Sequence, residues 1–336
     1  MSVTVRDVAK RAGVSVGTVS RYLNGYSLRE ENRQRIKEAI DALGFKENII
    51  AKGLKNNRSM AIGVVLASLT DIFATSIVTA AERIAAKENF SFIVCDYEGS
   101  LEKMVQKLDF LRSRSVDGLI LFPSGHSCPK VLQAYLDAGI PVVIVNDDMP
   151  AFRTDKVTVD NSNASFRAVE WLIHSNHRDI AIINGDTEVY TGRERLKGYL
   201  EALQVYEIPI NKQFITCGHF SHKGGYEAAK TLLTLETPPT ALYITNYYMT
   251  FGAIMAVNEL KISVPQQLSI IGFDHFEISD VINPSLTVIE QPTDKIGEMA
   301  AKTVIRRIRG DYSDFPVDLS IKTRMLVRDS VRRLEL

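Results

Sequence analysis

Apolar residues in the first sixty positions recur at helical spacing, whereas beyond Met60 they come in short unbroken runs. Val5, Val8, Ala9 and Ala12 fall at i, i+3, i+4 and i+7, the stripe of a short amphipathic helix. Gly13 follows where the chain must turn, a place suited to a residue without Cβ. Ser15 is positioned to cap a second helix by accepting from a backbone N–H two or three residues on. There Val19 and Leu23 face inward, leaving Val16, Gly17, Thr18, Ser20 and Arg21 outward. A third helix is predicted over 30–43, with Ile36, Ala39, Ile40 and Leu43 inward and Gly44 as its stop. Three short helices with a tight second turn form a helix-turn-helix, whose second helix enters the DNA major groove.

From Met60 onward, strand-like runs alternate with helix-period segments. The first set is AIGVVL (61–66), SFIVC (91–95), DGLILF (117–122) and PVVIVN (141–146), with helices near 73–88, 100–113 and 128–138. After VTVD (157–160) the pattern restarts with DIAIIN (179–184), FIT (214–216), ALYIT (241–245) and LSIIGFD (268–274). Continuous apolar strands between helices imply parallel sheets covered on both faces. Two consecutive sets imply two similar lobes. Such sheets bind ligands beyond the carboxyl ends of their strands, so a cleft between the lobes is the expected site. The fold class is therefore α/β, with an N-terminal all-α helix-turn-helix domain followed by two lobes built on parallel sheets.

Composition alters this picture little, but charge does. With 45% hydrophobic and 24% charged residues the chain has an ordinary globular composition, and it holds no apolar run of membrane-spanning length. The net charge is zero, yet residues 1–58 hold twelve Lys/Arg against six Asp/Glu, a net +6. The remainder carries 28 basic against 34 acidic residues, a net −6. A basic arm on an acidic body is the asymmetry of a nucleic-acid-binding segment. Cys95, Cys128 and Cys217 are scattered, which reads as reduced thiols rather than a disulfide framework. The start, MSVTVRDVAKRAG, has no apolar signal core, so a cytoplasmic location is expected.

The run TVRDVAKRAGVSVGTVSRYLN, followed by ENRQRIKEAIDALGF, resembles the lactose/galactose-repressor (LacI/GalR) family of bacterial regulators. The Thr18 to Asn24 core, T-V-S-R-x-L-N, is far more specific than a generic helix-turn-helix pattern. The resemblance implies that Thr4, Ser15, Val16, Gly17, Thr18, Ser20, Arg21 and Asn24 meet DNA. Arg21 is able to grip guanine bidentately, while Val16 reaches at most a thymine methyl and Gly17 offers only backbone. KENIIAKGLKNNRS (46–59) matches the family's hinge through Asn48, Ala51 and Leu54. In the family this segment becomes a helix on operator DNA, and Leu54 would wedge between minor-groove base steps. Glu47 departs from the family, which usually has proline there.

The resemblance continues, less tightly, through VDGLIL, VTVDNSNA, the R-x-x-G of Arg195 and Gly198, GGYEAA, LSIIGFD and NPSLTVIEQP. It implies a periplasmic-binding-protein-like body. The expected domains are 1–46 for DNA binding, 47–59 for the hinge, and 60–336 for effector binding and dimerisation. Within the last, lobe 1 takes about 60–158 and 290–319, and lobe 2 about 159–289 and 320–336. By position the effector pocket maps to Thr191, Arg195, Phe220, Asn246, Asp274 and Gln291, with Thr70, Phe73, Ser124 and Asn146 from the other lobe. Arg195 and Asp274 suit charge-assisted contacts, and Asn246 both donates and accepts. Two departures concern the ligand: Asn246-Tyr247 replaces the common N-D, and Asn146-Asp147-Asp148 replaces Asp-Arg. Losing an arginine and gaining acids disfavours a phosphorylated or carboxylated effector and suits a neutral sugar or a basic ligand.

Other signals are weak. His219-x-x-His222 lacks a third ligand close by and reads as a solvated loop; no metal or cofactor is expected. Lys223-Gly224-Gly225 is not a phosphate loop, and no nucleophile elbow or zinc-protease motif occurs. An enzyme acting on a sugar, with a DNA-binding appendage, would need a paired acid and base, and the sequence designates none. The chain is expected to be a non-enzymatic homodimer that binds a pseudopalindromic operator and a small effector, with no membrane partner. Its end soon after TRMLVRDS favours a dimer over a tetramer.

Overall fold

The structure is a computed structural model, and it describes residues 3–23, 26–45, 58–125, 129–276 and 278–335. The chain divides into two compact units, Met1–Met60 and Ala61–Leu336.

The first unit holds α1 (Val5–Ala12), α2 (Val16–Leu23) and α3 (Glu30–Leu43). Thr4 starts α1 through a reciprocal box: its backbone N–H donates to Asp7 Oδ2 at 2.8 Å, and Asp7 N–H donates to Thr4 Oγ1 at 3.4 Å. Gly13 ends α1 in a left-handed conformation at φ 66°. Ser15 Oγ then accepts from Thr18 N–H at 3.1 Å and starts α2. Val8, Val19 and Ile36, one from each helix, are fully buried against one another's cluster. Each contributes on the order of 1.5–3 kcal/mol by leaving water.

The second unit begins with β1 (Ala61–Leu66), α4 (Ile72–Lys87), β2 (Ser91–Asp96), α5 (Leu101–Ser113), β3 (Gly118–Leu121), α6 (Pro129–Asp137), β4 (Val142–Val145) and β5 (Asp155–Val159). It continues with α7 (Asn161–His174), β6 (Ile180–Asn184), α8 (Tyr190–Val205), β7 (Ile215–Cys217), α9 (His222–Leu233), β8 (Ala241–Ile244) and α10 (Tyr247–Glu259). β9 (Ser269–Phe273), the short α11 (Ile278–Val281), β10 (Thr287–Glu290), α12 (Thr293–Ile308), β11 (Asp318–Ile321) and β12 (Arg324–Leu326) complete it. Two six-stranded sheets result, ordered β11-β5-β4-β3-β1-β2 and β12-β10-β9-β8-β6-β7. Their central strands are buried along their whole length, which is why they read as unbroken apolar runs.

Two details differ from the sequence reading. The second sheet is not wholly parallel, because β12 pairs antiparallel with β10 at its edge. Ser320 and Ile321 remain in the first sheet, paired with Thr158 and Val159, so the final crossing falls later than residue 320.

A buried ion pair ties α12 to the first sheet. The Arg307 guanidinium is fully buried and donates from Nε and Nη2 to the two oxygens of Asp155, each at 2.9 Å. Its Nη1 donates to Asp314 Oδ1 at 2.8 Å and to the Asp311 carbonyl at 2.7 Å. These hydrogen bonds hold Arg307 firmly protonated against the cost of burial.

Candidate functional site

Loops from the carboxyl ends of both sheets enclose a cleft of about 640 Å³. Thr70, Ser124 and Asn146 follow β1, β3 and β4, while Phe73 lies on the first turn of α4. From the other sheet, Phe220, Asn246, Asp274 and Gln291 follow β7, β8, β9 and β10, and Thr191 and Arg195 sit on α8. All ten positions expected from the sequence line this one cleft. Ser124, Asn146, His219, Phe220 and Asp274 have φ between 47° and 75°, because each loop turns sharply back as it leaves its strand.

Two glycines permit this geometry. A Cβ on Gly198 would meet the Ser162 carbonyl at 2.0 Å, so its absence lets α8 lie against α7. That approach brings Arg195 Nε within 2.9 Å of Asn161 Oδ1, which gives the R-x-x-G spacing a physical reason. A Cβ on Gly185 would lie 1.9 Å from Phe220 Cζ, so the ring occupies the space that glycine leaves.

The polar groups are more committed than their types suggested. Arg195 is buried, with Nη1 donating to the Thr245 carbonyl at 2.5 Å and the guanidinium 3.7 Å from the Phe273 ring centroid. Burial pushes its pKa down, partly offset by Asp274. Asn246 Oδ1 caps α10 by accepting from Tyr248 and Met249 N–H. The Asn246 carbonyl oxygen is thus engaged by the start of α10. Asp274 accepts from Gln291 Nε2 at 2.6 Å and Tyr247 N–H at 3.2 Å; its pKa is raised, chiefly by burial. Gln291 Oε1 is buried and finds no hydrogen-bond partner among the described residues.

Among the cleft residues that sequence reasoning missed are Asp71, Asp186, His219 and Tyr248. Asp71 caps α4 by accepting from Phe73 N–H at 3.0 Å, and burial, reinforced by the charge of Asp274, raises its pKa to about 6. An Asp directly ahead of a helix and after a strand was the available signal. The Tyr248 hydroxyl donates to the Thr70 carbonyl at 2.8 Å and so bridges the lobes. The acids at 147 and 148 play a different part from the one expected. Asp147 is buried and holds the Met149 and Gly125 N–H groups, while Asp148 pairs with Arg193 at 3.0 Å. Neither lines the cleft. Its acidity comes instead from Asp71, Asp186 and Asp274. His219 and His222 diverge: His219 Nδ1 lies 2.6 Å from Asp186 Oδ1, and the His222 ring packs on Tyr248 and Phe251.

In the first unit, α2 presents Val16, Gly17 and Arg21 to solvent, with Thr18 and Ser20 half-buried. Val16 is 46% exposed. Arg21 lies beside Tyr26, with the guanidinium 5.9 Å from the ring centroid. Thr4 and Ser15, both expected at DNA, use their side-chain oxygens to start α1 and α2. Asn24, Asn48, Ala51 and Leu54 lie outside the described residues.

A helix-turn-helix unit with an exposed second helix, joined in one chain to a two-lobed unit with a polar cleft, defines a ligand-responsive DNA-binding regulator. Comparison with known proteins agrees. Residues 4–48 match the family described as bacterial regulatory proteins, lacI family, and residues 169–331 match the periplasmic binding protein-like domain. Catabolite control protein A of Priestia megaterium is 30% identical over 99% of this chain and 100% of its own. The transcriptional repressor PurR of Proteus mirabilis is 32% identical over 98% and 96%. Among solved structures, the Lac repressor dimer bound to operator and the anti-inducer ONPF matches with a TM-score of 0.84 at 26% identity, covering 99% and 100%. The transcriptional regulator CelR in complex with cellobiose matches at 0.75 and 27%, covering 98% and 99%. The chain belongs to the lacI family of bacterial regulatory proteins. It is a DNA-binding transcriptional repressor with a ligand-binding domain, and its relatives are regulators rather than enzymes. No helix among the described residues is long and apolar enough to cross a membrane.

Proposed function

We propose that the protein represses a carbohydrate-utilisation operon and responds to a neutral, hydroxyl-rich effector, a sugar, bound in the cleft between its lobes. The observation that carries this is the acceptor-rich lining: Gln291 Oε1 is buried without a donor among the described residues, beside Asp274 and with Asp71 on the same cleft. A buried acceptor left unpaired costs about 1–3 kcal/mol, which a ligand hydroxyl removes by donating to it. Phe73 and Phe220 offer apolar faces for the carbon side of a sugar ring. Anionic effectors are disfavoured, because Arg195 is already engaged by Asn161 and Thr245 while three carboxylates face the cleft. Solved relatives carry sugars: CelR is in complex with cellobiose, and a LacI family regulator from Enterococcus faecium, 27% identical, has ribose bound. The PurR relatives make purines the comparison to include.

Residues 1–46 serve as the DNA-binding domain, 47–59 as the hinge and 60–336 as the effector-binding and dimerisation body. A homodimer places one α2 in each half-site of a pseudopalindromic operator, in the cytoplasm at the nucleoid. Arg21 reads a base edge, Val16 and Gly17 contribute little direct readout, and Leu54 wedges the minor groove. Effector binding changes operator affinity by about 1–3 kcal/mol through the hinge. Isothermal titration of the full chain with neutral mono- and disaccharides, sugar phosphates and purines tests the reading. Saturable binding of a neutral sugar that also changes operator affinity in a gel shift is expected. Tight binding of a sugar phosphate or a purine, with no neutral sugar bound, overturns it.

A further inference from the structure

We propose that Asp186, Cys217 and His219 form a binding site for a thiophilic divalent transition-metal ion of the zinc class at the rim of the cleft. Asn184 and Cys217 are paired at the ends of the neighbouring parallel strands β6 and β7, and Asp186 and His219 each lie two residues further on. Gly218 N–H donates to the Asn184 carbonyl at 2.8 Å, holding the two strand ends together. The left-handed turn at His219, φ 51°, brings its ring back over Asp186. Three different donors converge there: Sγ lies 3.4 Å from Asp186 Oδ1 and 3.6 Å from His219 Nδ1, and those two atoms lie 2.6 Å apart. Tetrahedral zinc, bonded at about 2.0–2.3 Å to N, O and S, places neighbouring donors about 3.3–3.5 Å apart. Two of the three edges have nearly that length. The third is a hydrogen bond that opens by roughly 0.7 Å once a metal bond to each atom replaces it.

The donor set of one thiol, one imidazole and one carboxylate selects zinc-like ions over magnesium or calcium, which take oxygen alone. Binding breaks the Cys217 S–H bond, releases that proton to solvent and forms a metal–sulfur bond, with no change of oxidation state. The histidine side chain is 68% exposed and the aspartate side chain 41%, so the ion has a path in. Three protein ligands leave at least one coordination position, the pattern of an open rather than a closed zinc site. Asp186 and His219 line the cleft, so a water or an effector hydroxyl is placed to fill it. Bound metal also joins the segment carrying Gly185 to the one carrying Phe220, whose ring rests over that glycine. It therefore orders the aromatic wall of the cleft. The inference holds whatever the effector proves to be.

The test is titration of the metal-free full-length protein with cobalt(II), followed by zinc(II). One equivalent of cobalt per chain is expected, with a thiolate-to-cobalt charge-transfer band in the near ultraviolet that zinc displaces. Cys217→Ser should abolish the band and Cys128→Ser should leave it. His219→Ala should weaken zinc binding by more than about tenfold, since even outer partners of metal sites cost that much. Unchanged circular dichroism and melting of each variant establish that the fold is retained. Absence of a thiolate band in the native protein, a band that survives Cys217→Ser, or zinc affinity indifferent to His219→Ala each overturns the proposal.

Discussion

Replacing Asp71 by Asn separates the charge of this residue from its capping role. Its Oδ1 caps α4 at 3.0 Å, and Asn caps a helix as well as Asp does. The carboxyl, however, is raised from 3.8 to about 6 by burial and by the neighbouring Asp274. A carboxylate with a raised folded pKa binds its proton more tightly in the fold than in the unfolded chain. Its contribution to stability is complete below 3.8 and is lost as the pH rises through about 6. Two pH units at about 1.36 kcal/mol each bound the effect near 3 kcal/mol, and partial exposure of the side chain lowers it to about 1–2 kcal/mol. Asp71→Asn should therefore match the native protein at low pH. At pH values above the folded pKa it should be the more stable by that amount, about 2–5 °C in the melting of the second unit. Near-ultraviolet circular dichroism melts across the acid-to-neutral range measure this without ligand. His177, whose pKa burial lowers, acts in the opposite sense, stability falling as the pH drops, but it is common to both proteins and cancels. A melting difference that stays constant across the range, or changes sign, would refute the assignment. The same charge makes a second readout available: if Asp71 accepts an effector hydroxyl, native effector affinity weakens as the pH falls below about 6, and the variant's does not.

Other substitutions probe separate parts of the molecule. Arg307→Ala leaves Asp155 buried without its partner and should cost about 3–5 kcal/mol, read by urea unfolding followed in the second unit; a loss under 1 kcal/mol would show that the ion pair is dispensable. Gly185→Ala drives a methyl into the Phe220 ring and should weaken effector binding at least about tenfold, roughly 1.4 kcal/mol, while operator binding without effector is kept. Native effector affinity in that variant would remove Phe220 from the site. Arg21→Ala should bring operator affinity down to the level of random DNA, with melting unchanged, since the side chain is exposed; retained discrimination in a competition gel shift would exclude it as a base reader.

The elements were legible because their signals are local. Helical spacing with Gly13 and Gly44 as stops located α1 to α3, and unbroken apolar runs located the central strands, since a strand buried on both faces has no polar side to interrupt it. Ten cleft positions were legible in a different way, through family motifs that place residues at strand ends, and the fold does gather them into one cleft. What each of those groups does was decided only by tertiary structure. A sequence names Asn246 but not that its carbonyl is consumed by the next helix, and Arg195 but not that Asn161 and Thr245 already hold it. It presents Asp147 and Asp148 as a change in the pocket, whereas the loop turns them to backbone amides and to Arg193. Arg307 meets Asp155 across 152 residues, and Asp186 meets His219 across 33, where two parallel strands end side by side. Parallel strands are always joined by long crossovers, so the groups that meet at their ends are remote in sequence. Periodicity therefore finds the strands, while which charges remain free to meet a ligand depends on contacts that form only when the sheets are assembled.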